Sequence, residues 1–380
     1  MVEFLTNEIC KLTVLGKAHL LTQGVDILVS VFFKRDQYYK NFGTYVKGLQ
    51  KVLNFVDNTE YNDPKNGGYV YVLFVDKHVA NDPKIRGMID RCRNCVPVLF
   101  GCSDYMQGEY HTDLFGTLVR FFPMFDFENN PCNIVICIDI DLHEEDYVRL
   151  KSLMKHKHKG VTAAGDIARY LYVGLNPYIY AGLVCYNRKR TDHKTIINFV
   201  RNADKIESTG HYGKRLTTFG YGIDEIFLNE YLLPKIGQIN VVIDYQLSYF
   251  LFHSKNYLVD PERSDKTSEI LSTILGPYDK PNISIDEKFK MIDEITYQVR
   301  ELTDKNDEIS RRFTKVIEHL VDSKKIWLEK KVLMFIHDYL RNVVSSNAVI
   351  TYDYTEGVTD VKHYEATYDS DYDPKREKKN

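Results

Sequence analysis

Four short apolar runs, separated by stretches with helical spacing, constrain the fold of this chain more than any other feature. The runs are 25–33 (VDILVSVFF), 69–75 (YVYVLFV), 96–100 (VPVLF) and 133–140 (NIVICIDI). They are short, rich in β-branched residues and apolar on both alternating faces, as strands buried on two sides must be. Between the first two, 38–56 spaces Phe42, Tyr45, Val46, Leu49 and Leu53 at helical intervals, and 82–92 and 115–125 also read as helices. Strand–helix alternation of this kind predicts an α/β fold with parallel strands and crossover helices. Such sheets take ligands beyond the C-terminal strand ends, where the strand order reverses. The fourth run delivers two acids to that edge, Asp139 and Asp141.

From Glu144 the pattern becomes mixed. A helix is expected over 145–154, strands over 179–186 and 239–245, and a helical stretch at 225–232. The prediction is a mixed, mostly parallel sheet flanked by helices, in a domain spanning 1–280. After Pro281, Ile292, Ile295, Val299, Leu302, Asn306, Ile309, Phe313, Val316 and Leu320 alternate by three and four residues, giving heptads with one polar position. This marks 281–350 as a helical region, either a coiled coil or, with 303–307 as a turn, a helical hairpin. A coiled coil would make a homodimer, with Asn306 setting the register. The remainder, 351–380, is rich in Asp, Tyr and Lys and reads as a flexible tail.

Composition narrows the function. The 380 residues carry a net charge of −3 and a pI near 6.5, so no global basic character points to nucleic acid. No apolar run reaches the roughly 18 residues needed to span a bilayer, and 1–24 lacks the apolar core of a cleavable signal. The seven cysteines are odd in number and mostly lie in apolar runs, as reduced thiols of a cytoplasmic protein do (host cytoplasm or virion, if the chain is viral). Cys92, Cys95 and Cys102 have part of a zinc spacing but lack a second pair. The 28 tyrosines suit a groove facing sugar rings or bases, and equally suit compositional bias.

The residues richest in chemistry are Asp139 and Asp141. In an extended strand, positions i and i+2 project to the same side. Two carboxylates held that close repel each other unless a cation lies between them, and Mg²⁺ or Mn²⁺ suits oxygen ligands shared with substrate phosphates. Arg120, in the preceding helical stretch, can form a local salt bridge. Asp224 opens the stretch after the Gly220-Tyr221-Gly222 turn, where a carboxylate is placed either to stabilise a helix start or to act on a ligand. No phosphate-binding Gly-rich loop ending in Lys-Ser/Thr is present.

In these blocks the sequence resembles a glycosyltransferase of the GT-A fold, close to the glycogenin-like retaining family and its relatives in large DNA viruses. The matching segments are VDILVSVFF, the pair GTLVRFFPMFD and VICIDIDL, YIYAGLVCYNRK and YGIDEIFLNEYLLP, in order between about Val25 and Asp260. The resemblance implies a metal-dependent transfer of a hexose from a UDP-sugar donor to a sugar or protein acceptor hydroxyl, with retention of configuration. It implies Asp139, Asp141 and His253 as metal ligands, Arg120, Asp139 and Lys255 as donor-binding residues, and Asp224 and Glu225 as catalytic. Tyr180 stands where the family usually has Asn, and Glu225 where it usually has Gln. Two rivals remain: a nucleotidyltransferase that makes the nucleotide-sugar, which would need a Gly-rich basic loop after the first strand, and a structural or interaction protein on a transferase fold.

Overall fold

The computed structural model describes residues 4–35, 41–58, 68–157, 160–166, 176–206, 217–243 and 347–364. The chain divides into two compact units, one formed by Met1–Gly165, Tyr178–Val242 and Thr351–Gly357, the other by Asp166–Pro177, Ile243–Ile350 and Val358–Asn380. Most described residues belong to the first.

That first unit is built on a mixed sheet. Its strands are β1 (Lys11–Val14), β2 (Val25–Phe32), β3 (Val70–Val75), β4 (Cys95–Gly101), β7 (Cys132–Ile138), β8 (Gly160–Asp166), β9 (Tyr178–Asn187) and β10 (Gln238–Ile243); β5 (Met106–Gln107) and β6 (Tyr110–His111) form a separate hairpin. The order across the sheet is β1-β4-β3-β2-β7-β9-β8-β10. β4, β3, β2 and β7 run parallel to their neighbours in that series, as do β8 and β10, whereas β1 is antiparallel to β4 and β9 to β7. All of β3 and residues 27–32 of β2 are buried, which is why these strands are apolar without alternation.

The helices cover this sheet through their apolar faces. α1 (Phe42–Asp57) is capped by Asn41, whose side chain accepts from the Gly43 N–H, and it buries Leu49, Val52, Leu53 and Val56. Fully burying a side chain of this size stabilises the fold by about 1.5–3 kcal/mol. α2 (Lys77–Ala80) starts at Asp76, and α3 (Pro83–Arg91) starts at Asp82, with Pro83 in the first turn where a missing N–H costs nothing. α4 (Glu144–Lys155) and α5 (Lys194–Arg201) follow β7 and β9.

Several expectations need correction. The 115–125 helix is a 3-10 segment, Phe115–Met124, buried along almost its whole length and interrupted by Pro123. It lies so close to β2 that a Cβ on Gly116 would meet the Phe33 ring at 2.7 Å. The 225–232 helix is a short α-turn, α6 (Ile223–Ile226), then a π-helical turn, Phe227–Leu232, then α7 (Leu233–Ile236). The seven cysteines are not all reduced: Cys10 is bonded to Cys102, leaving five buried free thiols. That removes Cys102 from any zinc set with Cys92 and Cys95.

The tail beginning at 351 is also corrected. Strands β11 (Asn347–Asp353) and β12 (Gly357–Tyr364) occupy its first part. Within the first unit the Tyr354 N–H donates to the Gly237 carbonyl at 2.7 Å, and the Thr351 hydroxyl donates to Asn240. The helical region of 281–350, with its homodimer, lies outside the described residues except at 347–350, which are strand. Among the described residues no helix is long and apolar enough to cross a membrane.

Candidate functional site

The strand order reverses at β2. From it the sheet grows to β3 and β4 on one side and to β7 on the other, and open α/β sheets take ligands beside such a reversal. A cavity of about 240 Å³ lies there, lined by Phe33 and Arg35 after β2, Tyr45 of α1, Arg120, the Asp139–Asp141 turn, and Tyr221, Asp224 and Glu225 from the start of α6. Four carboxylates and two guanidiniums thus share one small space.

Asp139 and Asp141 reach this wall, but not by the route expected. β7 ends at Ile138, and Ile140 and Asp141 form a turn, so extended-strand alternation does not align the two acids. Two glycines make room for the turn. A Cβ on Gly182 of β9 would overlap the Asp139 carboxylate, and one on Gly48 of α1 would overlap the Ile140 carbonyl. Glycine in a strand interior often marks such a close approach, and Gly182 lies within the YIYAGLVCYNRK segment.

Arg120 is the centre of the charge arrangement. It is 3% exposed. Its Nη1 pairs with Asp139 and its Nη2 donates to Asp224 Oδ2 at 2.6 Å. Burial works against its charge, but the Asp139 and Asp224 carboxylates outweigh that and hold the guanidinium more firmly protonated than a free arginine. Asp224 shows the reverse balance: burial raises its pKa above the ordinary carboxylate value, and Arg120 offsets this only in part. Asp139, by contrast, is half exposed, with its side chain at 49%.

Arg120 is thus a salt-bridging residue, though with partners 19 and 104 residues away and not local ones, and it lines the cavity. Asp224 is not the cap of its helix. Gly222, in left-handed backbone at φ 80°, holds the N-cap position, and the Asp224 side chain accepts from the Glu225 N–H and pairs with Arg120. Glu225 lines the same cavity. Tyr180 packs edge-on against Tyr178 and does not line the cavity. His253 and Lys255 lie outside the described residues.

Arg35, Tyr45, Tyr221 and Gly182 are additions that the sequence reading did not single out. Arg35 carried a usable signal, a cation just past the C-terminal end of a buried strand. A second cluster, Asp126, Asp192 and His193, brings ligand atoms within 4.8 Å of one another. Its oxygens already serve the backbone: Asp126 accepts from the His193 N–H at 2.7 Å and pairs with the ring, and Asp192 accepts from the Lys194 N–H. Slight burial pulls Asp126 upward, but the His193 hydrogen bonds hold its pKa below the ordinary carboxylate value. No protein-family model matches this chain, and no curated protein matches it.

Proposed function

We propose that this chain is a metal-dependent glycosyltransferase of the GT-A type, taking a UDP-sugar in the β2–β7 cavity and passing a hexose to an acceptor hydroxyl. The observation that carries the reading is the convergence of Asp139, Asp141 and Asp224 on one cavity, with Arg120 clamped between the first and the last. The cavity's position at the strand-order reversal, and a mixed sheet with β9 antiparallel, support the same reading.

The donor set fits a hard divalent cation. A diphosphate meeting four carboxylates against two guanidiniums would be repelled, and Asp139 and Asp141 offer oxygen ligands of the kind Mn²⁺ or Mg²⁺ takes together with phosphates. When bound, the ion supplies Lewis-acid stabilisation of the diphosphate leaving group. The chain's own residues do the rest. Arg120 fixes Asp139 relative to Asp224 and keeps both oriented. Asp224 presents a fixed carboxylate to an oxocarbenium-like centre, where such charge is worth most. Glu225, its neighbour on the same wall, is placed for an acceptor hydroxyl.

The test is a panel of UDP-glucose, UDP-galactose and related donors incubated with the full chain, with and without Mn²⁺. Mn²⁺-dependent sugar release is expected. UTP-dependent synthesis of a nucleotide-sugar would instead establish the nucleotidyltransferase, and inertness in both assays would leave a non-catalytic interaction protein.

A further inference from the structure

Two routes join Asp139 to Asp224. The first is Arg120, which pairs with both. The second runs through β9 and one side chain. Gly182 of β9 backs the Asp139 carboxylate so closely that a Cβ there would overlap it. Three residues earlier on the strand, the Ile179 main chain is held by Asn229, in the π-helical turn that continues α6. The Ile179 N–H donates to Asn229 Oδ1 at 2.8 Å, and Asn229 Nδ2 donates to the Ile179 carbonyl at 2.9 Å. An antiparallel strand offers its neighbour such an exchange, and here a side chain supplies it, beyond the Val135–Ile138 stretch of β7 that pairs with β9. Asn229 Nδ2 also donates at 3.0 Å to the carbonyl of Glu225, the residue after Asp224. One amide therefore pins the segment bearing Asp224 and Glu225 to the strand that backs Asp139. It does so where the helix widens, as helices often do at functional sites.

We infer that Asn229 is a positioning residue that sets the separation of Asp224 from Asp139, and with it the place of a reacting centre between diphosphate and carboxylate, an assignment that rests on the nucleotide-sugar reading for its chemistry. Arg120 joins the two carboxylates at their tips. Asn229 fixes the main chain from which Asp224 projects, so the two ties hold the same acid at its two ends. Asn229 itself does not line the cavity; it acts through Asp224 and Glu225. Misplacing a reacting group slightly is costly even when every ligand-binding group is present.

The experiment measures UDP-sugar turnover, KM and calorimetric UDP affinity for the full chain with Mn²⁺, in the wild type, Asn229→Leu and Asn229→Gln, each scaled to the folded fraction. Asn229→Leu removes all three hydrogen bonds. It is expected to lower turnover on the order of a hundredfold, the scale for an error of about 1 Å, while KM and UDP affinity stay within about threefold. Asn229→Gln keeps the amide at longer reach and should recover part of the turnover. If Asn229→Leu fails to fold, Asn229→Gln alone decides, through reduced turnover at near-wild-type UDP affinity. Wild-type turnover per folded molecule would leave Asn229 a structural stitch, and UDP affinity falling in step with turnover would make it a support of the whole cavity; either result overturns the assignment. A urea double-mutant cycle of the same variant with Arg120→Lys needs no chemistry. Because both ties end on Asp224, the double variant's unfolding constant should depart from the product of the single effects by more than about twofold, and additivity within that bound overturns the assignment. Coupling in the cycle without cleavage of any UDP-sugar by the wild type would instead sink the transferase reading and leave the positioning role standing.

Discussion

Two acidic clusters in this molecule teach opposite lessons. Asp139, Asp141 and Asp224 stand at the switch point of the sheet around a buried arginine. Asp126, Asp192 and His193 sit at the surface, with the Asp126 and His193 side chains 51% and 41% exposed. The surface group has the closer metal-like spacing, yet its oxygens are used to organise the turn into α5. The cavity group keeps a half-exposed carboxylate facing open space and spends a buried cation on holding it there. Residue types alone do not separate the two; burial, counter-charge and position on the sheet do.

The comparison can be broken most forcefully at Arg120. Replacing it by Met leaves the buried Asp224 without its partner and Asp139 without its anchor. The expected loss is about 3–5 kcal/mol of stability, the range for removing one member of a buried ion pair, and urea denaturation would measure it. A loss under about 1 kcal/mol would mean that the clamp is ornamental.

Gly182→Ala comes next. Its new Cβ would occupy the space of the Asp139 carboxylate. The expected cost is about 1–3 kcal/mol, as for other overpacked sites, read from the shift in the denaturation midpoint. Unchanged stability would mean that Asp139 has room to move aside.

Titration sharpens the contrast further, because the two clusters respond to pH with opposite signs. The folded-state pKa of Asp224 is raised, so its contribution to stability is fully present below the unfolded value near 3.8 and is lost as pH rises through the folded value. The folded-state pKa of Asp126 is lowered, so its contribution is present above 3.8 and is lost as pH falls through the folded value. Stability curves of Asp224→Asn and Asp126→Asn, each subtracted from the wild type across acid pH, should therefore slope in opposite directions. Parallel curves would show that burial does not distinguish the two acids. The smallest effect is expected for His193→Ala: a solvent-screened pair of this exposure is worth about 0.2–1 kcal/mol, so thermal unfolding should shift by a few degrees at most.

How much of this was legible beforehand follows from what each element depends on. β2, β3, β4 and β7 could be read because strands buried on both faces must be apolar throughout, and their local sequence says so. β1 and β8 were missed because Lys11–Val14 is only four residues long and Gly160–Asp166 is mostly glycine and alanine, with two β-branched residues in seven; neighbouring strands select them. Phe115–Met124 looked helical because its apolar residues suit either winding, and its tight packing against Phe33 is a tertiary fact. Asp139 and Asp141 were found, yet the turn that presents them depends on Gly48 and Gly182, which lie far away in sequence. The Arg120 clamp joins positions 19 and 104 residues apart, and no local pattern encodes such a pairing. Cys10 and Cys102, 92 residues apart, were invisible as a pair for the same reason.

The proposed function requires that the cavity between β2 and β7 bind a nucleotide diphosphate through a cation held by Asp139 and Asp141. The most direct measurement is calorimetric titration of UDP into the wild type and Asp141→Asn, with Mn²⁺ and with a chelator. Binding in the wild type should require Mn²⁺, and Asp141→Asn, folded by circular dichroism, should lose affinity by about a hundredfold, or roughly 2.7 kcal/mol. Equal affinity of the two proteins for UDP, or wild-type binding indifferent to Mn²⁺, would contradict it.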